Sequence, residues 1–171
     1  MAVVTGANKG IGFEIVKSLC SRIEVVVLTS RNAEHERGGL EAVAALNGEN
    51  LFPKFHALDI LDKESILKLR DYMSSTFGGL DILVNNAGIA YDATSTEPFG
   101  VQAKRTLMTN YLGTKMVCDI LFPILRPGAR VVNVSSFVGA LGNLIKWGGN
   151  KARAEGLFRT SVVTKYSILF T

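Results

Sequence analysis

A tyrosine and a lysine stand four residues apart in the stretch YLGTK, as Tyr111 and Lys115, and no other tyrosine of the chain has a lysine at this spacing. A phenol can donate a proton to a developing alkoxide, and a nearby ammonium group lowers the phenol pKa. The pair therefore predicts general acid chemistry, provided that one helix face presents both side chains to the same ligand.

The helical pattern around this pair favours a different residue. Over residues 99–124, side chains that are small or apolar, apart from one asparagine, recur every three or four positions and must face a sheet. Tyr111 lies about 100° from this stripe, and Lys115 turns mainly toward solvent. We interpret their spacing as a coincidence and expect the buried Asn110 to need a polar partner. The stripe consists of Ala103, Leu107, Asn110, Thr114, Val117 and Leu121.

A second apolar stripe, formed by Met108, Leu112 and Met116, is expected on the outer side of the same helix. Apolar residues in such a place need a cover. A neighbouring loop or a partner chain could provide it, and in the second case the stripe predicts self-association.

The segment TGANKGIG at residues 5–12 follows an apolar run directly and precedes a helical pattern. Glycines let the backbone turn sharply and approach a phosphate closely, and the helix then directs its free amides and its positive end at the anion. In this position between strand and helix, the spacing predicts a dinucleotide site. Its candidate residues are Gly6, Asn8, Lys9, Gly10, Ile11 and Gly12.

Arginine stands where an enzyme that uses NAD would carry an acid for the ribose 2′-hydroxyl. Arg31 ends the second apolar run, and Arg37 follows six residues later. Guanidinium groups attract a 2′-phosphate, and Lys9 adds a further positive charge. The sequence therefore predicts NADP(H) rather than NAD(H), with a solvated surface arginine as the alternative.

Five short runs rich in β-branched residues alternate with stretches of helical length, which predicts a doubly wound α/β fold with a Rossmann-like parallel sheet. The runs cover residues 2–6, 24–30, 52–60, 80–86 and 129–136. The helices are expected from Ile11 to Cys20, from Gly39 to Leu46, from an N-cap at Asp62, and over 99–124. Ligands of such folds bind at the carboxyl ends of the strands.

Polar groups at those strand ends complete the predicted site. Asp59, next to Ile60, could accept a hydrogen bond from an adenine amino group or could cap the turn toward Asp62. Asn86 offers an amide to the adenosine side of a cofactor, and Gly88 lets the chain turn beside the ligand.

The composition is that of one globular domain, with 171 residues, 47% hydrophobic residues and a net charge of +4 that is spread along the chain. Scattered positive charge predicts a small anionic ligand rather than a nucleic acid. Cys20 and Cys118 lie in apolar patterns without metal spacing, so we expect buried free thiols and no metal. No signal peptide or membrane span is evident, which predicts a cytoplasmic protein.

These motifs together resemble the short-chain dehydrogenase/reductase family, and within it the NADPH-dependent carbonyl reductases. The resemblance runs from Ala2 to Ser136 through TGANKGIG, LDI, GGLDILVNNAG, TNYLGT and RVVNVSS. It implies the strand order 3-2-1-4-5 and the reduction of ketones, aldehydes or quinones by NADPH.

The resemblance also assigns roles to matching residues. Ser136 matches the catalytic serine that polarises the substrate carbonyl, and Asn110 matches an asparagine that orders a water of the proton relay. Gln102 matches a position near the substrate pocket, and Tyr111 matches a structural aromatic residue.

The family's acid, a tyrosine followed four residues later by lysine, is missing after Ser136. Trp147 precedes Lys151 at this spacing, and Ser161 precedes Lys165. Either lysine could replace the family lysine, or both matches could be accidental. Neither an indole nor an alkyl hydroxyl is a useful acid near neutral pH.

We therefore expect a truncated family member that lacks the last strands of the fold. Residues 1–136 would form the NADP(H)-binding part, and residues 137–171 would be a short divergent tail of the same domain. Weak or absent turnover is expected. The alternative is a silent NADP(H)-binding or dimerising form.

Overall fold

A computed structural model describes residues 1–31, 38–92 and 94–136. Within these ranges, five parallel strands form one sheet in the order β3-β2-β1-β4-β5, which confirms the predicted doubly wound fold. The strands are β1 (Ala2–Val4), β2 (Val26–Ser30), β3 (Lys54–Ala57), β4 (Leu80–Asn85) and β5 (Leu125–Asn133). The helices are α1 (Gly10–Cys20), α2 (Gly39–Asn47), α3 (Lys63–Phe77), α4 (Phe99–Leu107) and α5 (Thr114–Leu121).

Two apolar cores, one on each face of the sheet, hold these elements together. Val3 and Val27 pack with α3 and α5, whereas Val4 and Leu28 pack with α1 and α2. Successive residues of a strand point to opposite faces, so a strand that is buried on both sides is apolar along most of its length. This requirement explains the uninterrupted apolar runs in the sequence.

The third helix begins as predicted. The Asp62 carboxylate accepts a hydrogen bond from the Glu64 amide at 3.0 Å and so caps α3. Such a cap stabilises a helix by about 1 kcal/mol. Three of the four residues expected on the apolar face, Ile66, Leu69 and Met73, are fully buried.

Residues 99–124 are helical throughout, but they do not form one regular α-helix. A π-helical turn over Met108–Gly113 separates α4 from α5, and a 3-10 turn over Phe122–Ile124 leads into β5. The extra residue of a π turn rotates everything that follows, and such turns are frequent at functional sites. The sequence periodicity did not reveal it.

This rotation overturns one expectation. Met108 and Leu112 are 41% and 38% exposed, as predicted for an outer stripe. Met116, beyond the π turn, instead packs against the core that contains Val117 and Leu121. The predicted stripe of three residues is therefore wrong at Met116.

Two other expectations need correction. Cys20 and Cys118 are free, as predicted, but each is only half-buried. The last strand begins at Leu125 rather than at residue 129, because β4 already pairs with it at Leu80. In the ranges that the structure describes, no helix has the length and apolar character needed to cross a membrane.

Candidate active site

The turn between β1 and α1 has the shape that its glycines predict. Gly6 and Gly10 have φ angles of +61° and +58°, which side chains other than glycine rarely adopt. A Cβ at Gly12 would lie 2.4 Å from Nδ2 of Asn86 and 2.7 Å from the Gly6 carbonyl oxygen. At Gly10 a Cβ would meet nothing within 4 Å, so the space in front of the helix is open.

Two side chains fix this turn to β4. Thr5 Oγ1 accepts hydrogen bonds from the amides of Asn86 and Ala87 at 3.0 and 2.9 Å. The Asn86 side chain donates from Nδ2 to the carbonyls of Thr5 and Gly6 at 3.0 and 2.9 Å. Both side-chain N–H groups of Asn86 therefore bind the turn. Only the oxygen atoms of Asn86 could accept a hydrogen bond from a ligand.

The start of α1 is suited to an anion. Lys9, the N-cap residue, is extended and exposed, and its side chain does not cap the helix. The first amides of the helix are therefore available to an anionic group. Ile11, one residue into the helix, is 64% exposed at the edge of the turn.

Positive charge also lies at the end of β2. Arg31 follows the strand directly, and its exposed side chain forms no ion pair with any residue that the structure describes. Arg37 lies outside the described residues. Asn8 has a partly buried side chain within the turn.

The end of β3 has a local explanation as well as the predicted ligand role. Asp59 accepts a hydrogen bond from the Leu61 amide at 2.9 Å. This bond caps the turn toward Asp62, which is one of the two roles that the sequence allows for Asp59. The Ile60 side chain is 5% exposed and packs against Gly113, so only its backbone could reach a cofactor.

A cavity of about 510 Å³ opens where β4 and β5 end. Ile11 from α1 reaches its wall, so the cavity borders the mouth of the glycine turn. Residues 85–88 and 133–136 form the strand-end side, and Asn110, Tyr111, Thr114, Lys115, Cys118 and Phe122 line the helical side. The structure thus brings the predicted Gly88, Asn110 and Ser136 to one space.

Asn110 sits in the π turn, and both polar atoms of its side chain bind the backbone of one residue. Its Oδ1 accepts from the Ile89 amide at 2.8 Å, and its Nδ2 donates to the Ile89 carbonyl at 2.9 Å. A Cβ at Gly88 would lie 3.2 Å from the same Oδ1. The polar partner expected for Asn110 is therefore the backbone after β4, which its side chain holds in place.

Tyr111 and Lys115 line the cavity but do not form an acid pair. The Lys115 ammonium group is bound to the Asp119 carboxylate at 2.6 Å and is exposed, in agreement with the predicted orientation. This contact raises the pKa of Lys115. Ser136 is exposed at the cavity wall three residues after β5, and the candidates Trp147, Lys151, Ser161 and Lys165 lie outside the described residues.

Gln102 does not belong to the described cavity wall. Its Nε2 donates to the Glu97 carbonyl at 2.7 Å, which fastens α4 to the loop before it. Glu97 also forms an ion pair with Arg105 at 3.2 Å.

Sequence reasoning missed a buried polar cluster at the floor of the cavity. Asn85 donates from Nδ2 to Asn133 Oδ1 at 2.9 Å and to Cys118 Sγ at 3.3 Å. Burial raises the pKa of the Cys118 thiol. The only signal for this cluster was the pair of asparagines that end neighbouring strands. In the part of the chain that the structure describes, no group of His, Cys, Asp or Glu could hold a metal.

Solved structures share this architecture. A menthone neomenthol reductase from Mentha piperita is 33% identical, with a TM-score of 0.72 over 92% of this chain and 71% of that one. An NADPH-bound carbonyl reductase from chicken fatty liver has a TM-score of 0.73 at 24% identity, which shows the shared fold alone.

Curated relatives match the sequence more closely. Carbonyl reductase [NADPH] 1 of Bos taurus is 48% identical over 170 residues, which cover 99% of this chain and 59% of that protein. The Homo sapiens protein of the same name is 50% identical over 139 residues, which cover 81% of this chain and 49% of that protein. The chain therefore spans half to three fifths of the length of these relatives. The family model described as short chain dehydrogenase matches residues 1–161, and this chain belongs to that family.

Proposed function

We propose that the chain binds NADP(H) across the glycine turn. The open space at Gly10, the uncapped start of α1 and the exposed Ile11 fit a pyrophosphate and its sugar. Lys9 and Arg31 would pair with the 2′-phosphate, together with Arg37, while Asn8, Asp59, Ile60, Asn86 and Gly88 would border the adenosine. The relatives' names, which include NADPH, support this cofactor.

One observation carries this proposal. The glycine turn is held in shape by hydrogen bonds within the protein, from Asn86 to the carbonyls of Thr5 and Gly6. Little binding energy would then be spent on ordering its backbone.

The proposed reaction is the reduction of a small carbonyl compound in the cavity. When bound, NADPH supplies a hydride to the carbonyl carbon. The Ser136 hydroxyl at the cavity wall would donate to the carbonyl oxygen and polarise it. Asn110 would position the backbone around Ile89, and through it the neighbouring water and substrate. Gln102 would act further out, by holding the loop at Glu97.

Proton delivery to the substrate oxygen would require an acid. No tyrosine of residues 137–171 has a lysine four positions later. We therefore infer slow or absent turnover, with Lys151 or Lys165 left without its phenol. Residues 1–136 would carry the cofactor, and residues 137–171 would belong to the same domain.

Cofactor binding is tested by calorimetry with NADPH and NADH. We expect NADPH to bind about 10- to 100-fold more tightly, as charge-assisted contacts to one phosphate allow. Arg31→Asp should abolish this preference. The matched control is Arg22→Asp, which makes the same charge change at the other end of the sheet and should keep the preference. If NADPH neither binds nor raises the melting temperature, the proposal fails.

Catalysis is tested separately by following NADPH oxidation with menadione. The wild-type chain should show little turnover above a sample without protein. Trp147→Tyr and Ser161→Tyr each restore the family spacing at one lysine, so the variant that gains activity identifies the lysine in use. Robust turnover by the wild type would contradict the inferred loss of the acid.

A second candidate, a silent NADP(H)-binding module that associates with another chain, is favoured by the exposed Met108 and Leu112. Met116 is partly buried and packs against the core, so it would contribute less to such a surface. Binding of NADPH without turnover, together with a mass in solution that rises with concentration, would select this candidate. Leu112→Lys should then abolish the rise.

A further inference from the structure

The segment that follows β3 is held by hydrogen bonds that engage all but one of the polar atoms of Asp59. The Asp59 amide donates to Oγ of Ser65 at 2.9 Å, and its carbonyl accepts from the Asp62 amide at 3.1 Å. Its Oδ1 accepts from the Leu61 amide at 2.9 Å. In the part of the chain that the structure describes, no group donates to Oδ2 of Asp59, and this oxygen reaches the surface.

Strand β2 joins this segment to the glycine turn. The Ala7 amide donates to the Thr29 carbonyl at 2.8 Å, and the Leu58 amide donates to the Ser30 carbonyl at 2.9 Å. Neighbouring strands lie about 5 Å apart, so the ends of β1 and β3 are about 10 Å apart. A ribose and a purine can bridge this gap. A nucleotide whose phosphate lies at the start of α1 can therefore bring its base to Asp59.

The segment is also held from its other side, by the π turn. A Cβ at Gly113 would lie 3.0 Å from Cδ1 of Ile60 and 3.2 Å from the Ile60 carbonyl oxygen. Ile60 is 5% exposed, so its side chain has little space into which it could move. Because Ser65 on α3 and Gly113 in the π turn hold the segment between them, the direction of the Asp59 carboxylate is a fixed property of the site.

We propose that Ser65 is a positioning residue that makes the site select a purine with an amino group at carbon 6. Its hydroxyl holds the Asp59 backbone in the arrangement that leaves Oδ2 open to a base. An ionised carboxylate only accepts hydrogen bonds, so it attracts the amino group of adenine and repels the carbonyl oxygen that hypoxanthine carries at the same position. The proposal rests on the proposed function, in which Asp59 borders the adenosine.

Selection of the base can be separated from a purely structural role of Ser65. Without the hydroxyl, the Asp59 amide loses its acceptor, and the carboxylate is no longer fixed. An adenine nucleotide then loses a hydrogen bond while a hypoxanthine nucleotide escapes a repulsion, so the two affinities converge. A residue that only stabilised the fold would lower both affinities by the same factor. The ratio of the two affinities is therefore the quantity to measure.

The test measures by calorimetry how tightly the full chain binds NADPH and its hypoxanthine analogue, in which a carbonyl replaces the 6-amino group. The wild type should prefer NADPH about tenfold, as one charged hydrogen bond open to solvent allows. Ser65→Ala should reduce this preference to within about threefold, because Asp59 is then free to turn. Ser65→Thr keeps the hydroxyl and should keep the preference.

Further variants test whether Ser65 acts through Asp59. Asp59→Ala should remove the preference, and Ser65→Ala added to it should change the ratio no further. The matched control is Ser75→Ala at the other end of α3, where the hydroxyl donates to the Asp71 carbonyl at 2.7 Å, and it should keep the wild-type ratio. If Ser65→Ala does not fold, Ser65→Cys replaces it, since a thiol accepts hydrogen bonds only weakly.

Three results would each overturn the proposal. They are equal binding of the two dinucleotides by the wild type, an unchanged ratio in Ser65→Ala or Ser65→Cys, and a further fall of the ratio when Ser65→Ala is added to Asp59→Ala. Each of these results would leave NADP(H) binding intact. A chain that binds neither dinucleotide would refute the proposed function together with this inference, so the two failures can be told apart.

Discussion

Strand β4 has two neighbours, and its junctions with them differ. On the β1 side the pairing is regular from Ala2 to Val4 and leads into a turn where both amide hydrogens of Asn86 are used. On the β5 side the register shifts between Leu80 and Ile82, and the strand ends at Asn85, whose amide oxygen accepts no hydrogen bond from the residues that the structure describes.

The adjacent side chains of Asn85 and Asn86 therefore have different roles. Asn86 joins a turn that leaves no room for a side chain at Gly6 or Gly12, which suits a ligand of fixed geometry such as a pyrophosphate. Asn85 borders a cavity with a largely apolar wall, which suits molecules that vary in shape.

The largest effect is expected on the β1 side, from Gly12→Ala. The new Cβ would lie 2.4 Å from Asn86 Nδ2 and 2.9 Å from the Ala7 Cα, inside van der Waals contact. Overpacking of this kind costs about 1–3 kcal/mol, and we expect the upper end because part of the obstacle is backbone. Urea unfolding should show this loss, and NADPH binding should disappear with it.

Two glycine variants provide the controls. Gly100→Ala lies in α4, where a Cβ meets nothing within 4 Å, and should stabilise the chain by up to about 1 kcal/mol. Gly10→Ala also has open space but a φ of +58°, so about 1–2 kcal/mol of backbone strain is expected. If Gly12→Ala cost less than Gly10→Ala, close packing would not be what fixes the turn.

The second largest loss of stability is expected from Asn86→Ala. It removes two donors and leaves the carbonyls of Thr5 and Gly6 without them, at a cost of about 2 kcal/mol in the free energy of unfolding. The exposed Asn47→Ala should change the same quantity by no more than about 0.5 kcal/mol. Equal values for the two variants would contradict the role given to Asn86.

A smaller loss, about 1 kcal/mol, is expected from Asn85→Ala. This variant also removes two hydrogen bonds, but it removes the unsatisfied Oδ1 at the same time, and the two effects partly offset each other. Comparison with Asn86→Ala in the same denaturant series measures the difference between the two sides of β4. A loss as large as that of Asn86→Ala would mean that the polar groups at the two junctions are equally well hydrogen-bonded.

The β1 side could be predicted from the sequence because its signals are local. A glycine spacing that follows a strand requires a particular turn, and the alternation of strands and helices requires a parallel sheet. Asp62 and the face of α3 were predictable for the same reason, since a cap and a helical period span only a few residues.

The β5 side could not be predicted because its features depend on contacts between distant residues. Asn85, Cys118 and Asn133 meet only once three elements are packed. The π turn at Asn110 has no local signature, so the burial of Met116 was missed. Sequence resemblance placed Ser136 near the site, but it did not show that the Asn110 amide binds the backbone of Ile89.

The smallest effect concerns the amino end of the β4–β5 junction, where the Asp81 carboxylate binds the Met1 amino group at 2.6 Å and Arg126 at 3.0 Å. The hydrogen bond from Met1, then that from Arg126, holds the pKa of Asp81 below its ordinary value. A carboxyl group of this kind contributes stability above the ordinary aspartate pKa, and the contribution is lost as the pH falls below about 4 through the folded-state value.

Asp81→Asn should therefore lower the urea midpoint at about pH 6, and this effect should shrink as the pH falls below about 4 and the wild-type carboxyl takes up a proton. The group is 38% exposed, so the difference should stay within about 1 kcal/mol and shrink further in high salt. Asp71→Asn, a more exposed carboxylate paired with its neighbour Arg70, is the matched control and should show a weaker pH dependence. A pH dependence as strong in Asp81→Asn as in the wild type would mean that the β4–β5 junction gains nothing from this ion pair.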